Sequence, residues 1–568
     1  MLSALSYLPS PPCGRPCYAL LYRISDARRK YLYDIGCMYP EEMPNPFEAR
    51  RQSAILISKY STENKFETPI VVHTAHLFTN CQSNCIAYHD DKFLSTITRE
   101  RPPFSTPPKY FNSWSRVLCM LQCYAMNYAV TGLPGLEDRT HAMYASWNFE
   151  LLPQSQELVD CNHEPSCLQA VVDDAGYGPR IIGQVVHLDI FKSQQDDGWN
   201  SLGRQIYDVE SDLIVECMAN CASYSDTTGY IPRNHQGKKK GKKKSWGNSK
   251  STKQKYAVMG DDKFRRPMLE TTDYGNFLRQ DHVTPHIGYT AKPKLLSEFK
   301  KADKPRYDYK TEAELVVKRL QELVGDDERI EMLRFFDNKI KVRGIIQSSF
   351  VAQFSPFGLT FEDWITFLAG IDAAEHDSVL QVWREKVRFD RGRPTTVIQR
   401  WGDDEINTYN GNPSSTDPEN IKARDFQSFI PVMPHSEYPS GSASICTAYA
   451  EYVDLYTQEF YGTELSVLPV GPDWLNFGCN DNLTDSLEFG CGTTFHVHNM
   501  TELAHMCGES HLWGGMHFTK SVEAGHEVAS GIGELALEFA KDVKAGSTWT
   551  SSYYFGGADR PICGGGGT

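Results

Sequence analysis

The stretch TFEDWITFLAGIDAAEHDSVLQVWREKVRF, Thr360–Phe389, decides the fold. Apolar residues recur along it with a period of 3.6 and no proline interrupts them, which predicts one long helix. The same period continues outward in both directions. It marks TEAELVVKRLQELV from Thr311, DERIEMLRFFDNKIKVRGIIQSSFVAQF from Asp327, SASICTAYAEYVDLYTQEFY from Ser442 and VEAGHEVASGIGELALEFAKDV from Val522. WSRVLCMLQCYAMNYAV, beginning at Trp114, predicts a further, largely buried helix. Alternating strand patterns are scarce. The expected fold class is therefore mainly α, with helices packed as a bundle.

Around this centre the chain divides by composition. Residues 1–110 are rich in turns (PSPPCGRP, YPEEMPNP, ERPPFSTPPK) and are expected to form an irregular N-terminal extension. Residues 111–300 form an N-terminal helical part, and 301–568 a helical bundle. Gln236–Lys255, QGKKKGKKKSWGNSKSTKQK, is a lysine-rich insert within the middle part. Charges this dense repel one another and stay solvated, so a surface loop is expected there.

The 568 residues include 40% hydrophobic and 23% charged side chains, enough for a sizeable core, and the net charge is −14. An acidic chain of this kind is not built to coat nucleic acid, and no nucleic-acid partner is expected. No apolar run reaches the about 18 residues of a membrane span, so a soluble chain is expected. The first twenty residues lack a charged start and a continuous apolar core, so no signal peptide is expected. Among the 16 cysteines, the pairs Cys13/Cys17, Cys81/Cys85, Cys119/Cys123 and Cys217/Cys221 have C-x3-C spacing. On a helix this places two small side chains on one face, and core packing is the expected role. Two sequons, at Asn482 and Asn499, would be read by glycosylation only in a secreted protein.

Three short pieces carry chemistry. Lys386 and Arg393 lie seven apart, about 10 Å along a continuing helix, so both cations could reach one multivalent anion. Pro394 disfavours helical geometry at Arg393 and predicts a boundary there. Pro439-Ser440-Gly441 then runs into a helix, where a hydroxyl and free backbone N–H groups make an anion cradle. Last, His511 and His517 would stand about 120° apart on an unbroken helix, and Gly514-Gly515 could turn both toward one centre. Each piece alone is more often a helix end, a cap or a structural histidine.

Taken in order, the pieces resemble the signature of the vanadium-dependent haloperoxidases and the related acid phosphatases: Lys386-x6-Arg393-Pro394, Pro439-Ser440-Gly441-Ser442 and Ser510-His511-x5-His517. Trp383, Asp377 and His435 also fall where that family carries Trp, Asp and, in bromoperoxidases, His. GWNSLG from Gly198, DTTGYIPRN from Asp226 and HVTPHIG from His282 are similar to bacterial-type homologues. The resemblance covers Ser113–Val543. It implies vanadate as cofactor, held by Lys386, Arg393, Ser440, Gly441, His511 and His517, with His517 as the vanadium ligand. It implies hydrogen peroxide, halide and small organic acceptors as partners, in a monomer or a homo-oligomer.

The signature departs from the family at Ser442, where an acid–base His is expected, at His511 in place of Arg, and at Ser521 in place of an Asp. The first departure weighs most against a phosphomonoesterase using His517 as nucleophile, because the leaving alkoxide needs a proton. An oxyanion-binding homologue without turnover is the other alternative. The expectation for an active enzyme is that His435 or His511 takes over part of the proton role. Activity would then favour mildly acid pH.

Overall fold

The computed structural model describes residues 67–89, most of 113–233, 264–468 with short breaks, and 496–544, together with scattered residues between 49 and 97. The lysine-rich insert, Cys13, Cys17 and Asn482 lie outside the described residues.

The stretch that predicted the fold is a 29-residue helix, Phe361–Phe389, here α7. Thr360 caps it, its hydroxyl accepting a hydrogen bond from Asp363 N–H while the Asp363 carboxylate accepts one from Thr360 N–H. Most of its residues are buried, because other helices cover it on several sides. Ahead of it come α1 (Thr68–His89), α2 (Ser113–Val130), α3 (Pro179–Gln195), α4 (Tyr309–Leu323), α5 (Asp327–Asp337) and α6 (Lys339–Phe354). After it come α8 (Gly441–Tyr461), α9 (Met500–Trp513), α10 (Thr519–Ala529) and α11 (Ile532–Lys544). α7 packs on α1, α8 and α11, and α8 packs on α9, α10 and α11. Phe350 of α6 stacks on Phe367 of α7 at 3.8 Å, inside one continuous core. Strands occur only as antiparallel hairpins among the described residues; Glu405–Thr408 pairs with Glu419–Lys422 in the register Glu405 opposite Lys422. No described helix is long and apolar enough to cross a membrane.

Two expectations are corrected. Residues 68–89 do not belong to an irregular extension: they form α1, a buried 22-residue helix against α7. Its polar residues hid it from the periodicity, and several of them are paired within the protein. His73 meets the Tyr224 hydroxyl at 3.0 Å, His76 meets the Asp372 carboxylate at 2.8 Å, and Asn84 donates to Thr96. The cysteines, read as packing residues, form disulfides instead. Cys81 joins Cys123 and Cys85 joins Cys119, so two C-x3-C faces on α1 and α2 pair as rungs. Cys161–Cys167, Cys217–Cys221 and Cys446–Cys507 are also bonded, and the last ties α8 to α9.

Candidate functional site

α7 ends where Asp390 turns into the left-handed region at φ 48°. The buried Asp390 carboxylate holds that turn by accepting from the Tyr230 hydroxyl at 2.7 Å and Arg233 N–H at 2.6 Å. Lys386 therefore sits in the last helical turn, and Arg393 lies beyond it in extended backbone, ahead of a short helix that starts at Pro394. Both side chains point into the protein and are buried.

Ser440 caps α8, and its Oγ accepts from Ala443 N–H at 3.4 Å. The turn is moored from α10, since Ser440 N–H donates to Ser521 O at 2.9 Å. A Cβ added at Gly441 would lie 3.6 Å from both Lys386 Cε and the Trp383 ring. At the third piece α9 stops at Trp513 and Gly515 takes φ +76°, which brings the His511 and His517 rings to 5.9 Å.

Most of these residues converge on one small, partly open pocket. Trp383, Arg393, His435, Gly441, Ser442, His511 and His517 all line it. Lys386 reaches the same turn from beneath, its ammonium donating to Ser436 O at 2.7 Å. Arg393 spans the site, with Nη1 2.9 Å from Met516 O and 3.2 Å from His517 Nε2, and Nη2 3.1 Å from His435 Nδ1. A guanidinium only donates, so both imidazoles present lone pairs to it and are neutral. His517 thus carries its proton on Nδ1, facing the Ser521 Oγ at 3.1 Å and the Glu437 carboxylate at 3.3 Å. Asp377 is not at the cavity. Buried in α7, it accepts from the N–H groups of Lys294, Leu295 and Leu296, each at 2.8 Å, and anchors that loop.

Burial and the neighbouring cations hold His435, His511 and His517 well below the ordinary imidazole range. The expected contribution of a protonated His511 at mildly acid pH is therefore corrected: Lys339, Arg393 and Lys386 all oppose that charge. Burial pushes the Arg393 guanidinium down to about 10, which leaves it charged at neutral pH.

Three residues at the site escaped the sequence reading. Glu437 is fully buried beside His517. Its carboxylate accepts from Phe518 N–H at 3.0 Å, from the Tyr307 hydroxyl at 2.9 Å and from His517. An acid three residues before Ser440 was the available signal, and its burial was not visible in the sequence. The other two, Asp337 and Lys339, come from the α5–α6 junction and line the same cavity, and Lys339 Nζ lies 3.3 Å from His511 Nε2. No local pattern marks them.

Residues 366–546 match the family model described as the VCPO second helical-bundle domain. Over that stretch the chain is similar to the vanadium haloperoxidase helical bundle. Solved structures of a bacterial vanadium-dependent chloroperoxidase in its holo and apo forms share its fold, each with TM-score 0.65 over 84% of this chain. Their identities are 20% and 18%, and 93% and 95% of their own chains are covered. A bacterial vanadium-dependent iodoperoxidase aligns with TM-score 0.53 and 15% identity, covering 86% of this chain and 96% of its own. No curated protein matches the chain.

The donor set of this site suits a tetrahedral oxyanion. Arg393 Nε and His511 Nδ1 are buried polar atoms with no hydrogen-bond partner among the described residues. At Gly441, a side chain would fill space beside the lysine and the tryptophan.

Proposed function

We propose that the protein is a vanadate-dependent haloperoxidase that uses hydrogen peroxide to oxidise halide, bromide or iodide in preference to chloride, for transfer to a small organic acceptor. The observation that carries this reading is the convergence of Arg393, Gly441 and His517 on one buried cavity, with Lys386 behind the turn. Vanadate, when bound, would supply a Lewis-acidic centre for peroxide.

The chain's own residues bind and orient. Lys386, Arg393, the Ser440 hydroxyl and the Gly441 N–H spread the charge of an oxyanion, while the helix N-terminus adds its dipole. His517 would offer Nε2 as ligand when an oxyanion replaces its contact with Arg393, and Glu437 and Ser521 hold its proton on Nδ1. Trp383 packs beside His435 at 4.9 Å and screens that wall from water. The halide preference rests on His435 standing in the bromoperoxidase position. Ser442 supplies a hydroxyl to the cavity, and no titratable group.

One assay tests the reading. Orthovanadate is added to metal-free protein, followed by peroxide with iodide or bromide. Vanadate-dependent halogenation that phosphate suppresses supports it. Phosphomonoester hydrolysis inhibited by vanadate would replace it with the phosphatase reading, and vanadate binding without either activity with the non-turnover one.

A further inference from the structure

The motif positions of this site leave two vacancies. Ser442 has no group that titrates near neutral pH, and His511, surrounded by cations, brings no permanent charge. The histidines bring no standing charge to either. His435 and His511 each present a ring nitrogen to a cation, Arg393 at 3.1 Å and Lys339 at 3.3 Å, so both rings stay neutral.

Two polar side chains enter the cavity wall from a different part of the chain. Asp337 is the last residue of α5 and Lys339 the first of α6. Asn338 between them fixes the junction. Its side chain accepts from Ile340 N–H at 3.0 Å and Lys341 N–H at 3.2 Å, and its own N–H donates to Phe335 O at 3.2 Å. Both flanking side chains are therefore carried on helix ends, where geometry is better defined than on a free loop.

Lys339 is buried at 9% exposure, with its ammonium on Phe336 O and His511 Nε2. An ammonium has three donors, so one remains for a ligand. Asp337 is half-buried as a residue, but its Oδ1 is shielded from solvent and has no hydrogen-bond partner among the described residues. Such an atom is costly unless a proton or a ligand meets it.

We propose that the Asp337–Lys339 junction replaces both missing groups: Lys339 binds the oxyanion where the family's arginine would, and Asp337 carries the proton in place of the histidine. The proposal rests on the haloperoxidase reading. The proton step balances simply. The Asp337 carboxylate takes one proton from HOOH, giving HOO⁻ and the carboxylic acid. With vanadate held by Lys386, Arg393 and His517, the acid would return that proton to a departing hydroxide, giving water and the carboxylate. Burial raises the Asp337 carboxyl toward the range such an exchange needs, against the pull of Lys339 and Lys341.

The test uses the full, metal-free chain and four variants: Lys339→Met, Lys339→Arg, Asp337→Asn and Asp337→Glu. Far-UV circular dichroism establishes that each is folded. Vanadate affinity is read by calorimetry, and turnover by peroxide-dependent iodide oxidation at saturating vanadate. Lys339→Met is expected to weaken vanadate binding by about tenfold to a hundredfold, and Lys339→Arg to restore most of it. Asp337→Asn is expected to leave vanadate affinity within about twofold and to lower kcat by about 10² to 10⁴, with partial recovery in Asp337→Glu. Lys339→Met binding like the wild type, or Asp337→Asn turning over like it, overturns the corresponding half. A wild type that binds vanadate without turnover also overturns the role of Asp337. A wild type that binds neither vanadate nor inorganic phosphate overturns the haloperoxidase reading itself, and the proposal with it.

Discussion

Replacing Lys339 with Met should alter stability in a direction that depends on pH, even with no anion present. Burial lowers the ammonium from an ordinary 10.5 to about 8. At about 1.4 kcal/mol per unit, keeping it charged in the folded state costs about 3 kcal/mol. Met preserves the methylene packing and removes this cost. It also leaves Phe336 O and His511 Nε2 without their donor, at about 1 kcal/mol each. At pH 7 the two effects leave the variant about 1 kcal/mol more stable than the wild type. Between pH 8 and 10.5 the unfolded lysine keeps a proton that the folded one has released, so wild-type stability rises with pH in that window. The variant lacks this gain, and by pH 10 it should be the less stable by about 2 kcal/mol. Urea unfolding midpoints at pH 7 and pH 10, in phosphate-free buffer, measure the difference. An offset of the same sign and size at both pH values would refute the reasoning.

Three further outcomes follow from the same geometry. Inorganic phosphate or vanadate at one hundred times its Kd should stabilise the folded chain by about 2.7 kcal/mol, and thermal melts of Arg393→Ala should lose most of that shift. Glu437→Ala strands three buried donors, those of Phe518, Tyr307 and His517, and should cost about 3 to 6 kcal/mol in urea unfolding. Glu437→Gln should cost less than about 2 kcal/mol, because the Tyr307 hydroxyl can rotate to accept from the new amide. Replacing both Cys446 and Cys507 by Ala opens a loop closed across 61 positions, and oxidised and reduced samples of the wild type should differ by about 4 kcal/mol beyond the effect of the other bonds.

The sequence was most legible where local structure follows local spacing. Lys386, Arg393, Ser440, Gly441 and His517 are set by helix ends and tight turns, and those have residue-level signatures: a proline after Arg393, a glycine after Ser440, a glycine pair before His517. The long apolar period of α7 revealed the bundle for the same reason. It failed for α1, whose buried face carries His73, His76 and Asn84 with partners far along the chain. Partner choice is a property of three-dimensional contact, and it was equally invisible for the disulfides, where the C-x3-C pairs of α1 and α2 face each other. Glu437 stood beside the motif, but an acid before a turn reads as solvent-exposed until its three donors are seen. Asp337 and Lys339 act at the site from almost fifty positions upstream of Lys386, beyond the reach of any local pattern.

The cavity wall has one more contributor with a practical bearing. Thr68, at the start of α1, lines the cavity together with Asp337 and Lys339, and none of the three lies within residues 366–546. Excising the stretch that matches the family model would leave an anion turn with one side open to water. Through Cys81–Cys123 and Cys85–Cys119, α1 is in turn covalently fastened to α2. The smallest piece that can be transplanted, shortened or recombined with a relative while keeping a closed site therefore reaches from Thr68 to α10. Chimeras joined at the start of the matched domain should bind oxyanions weakly, however well that domain folds.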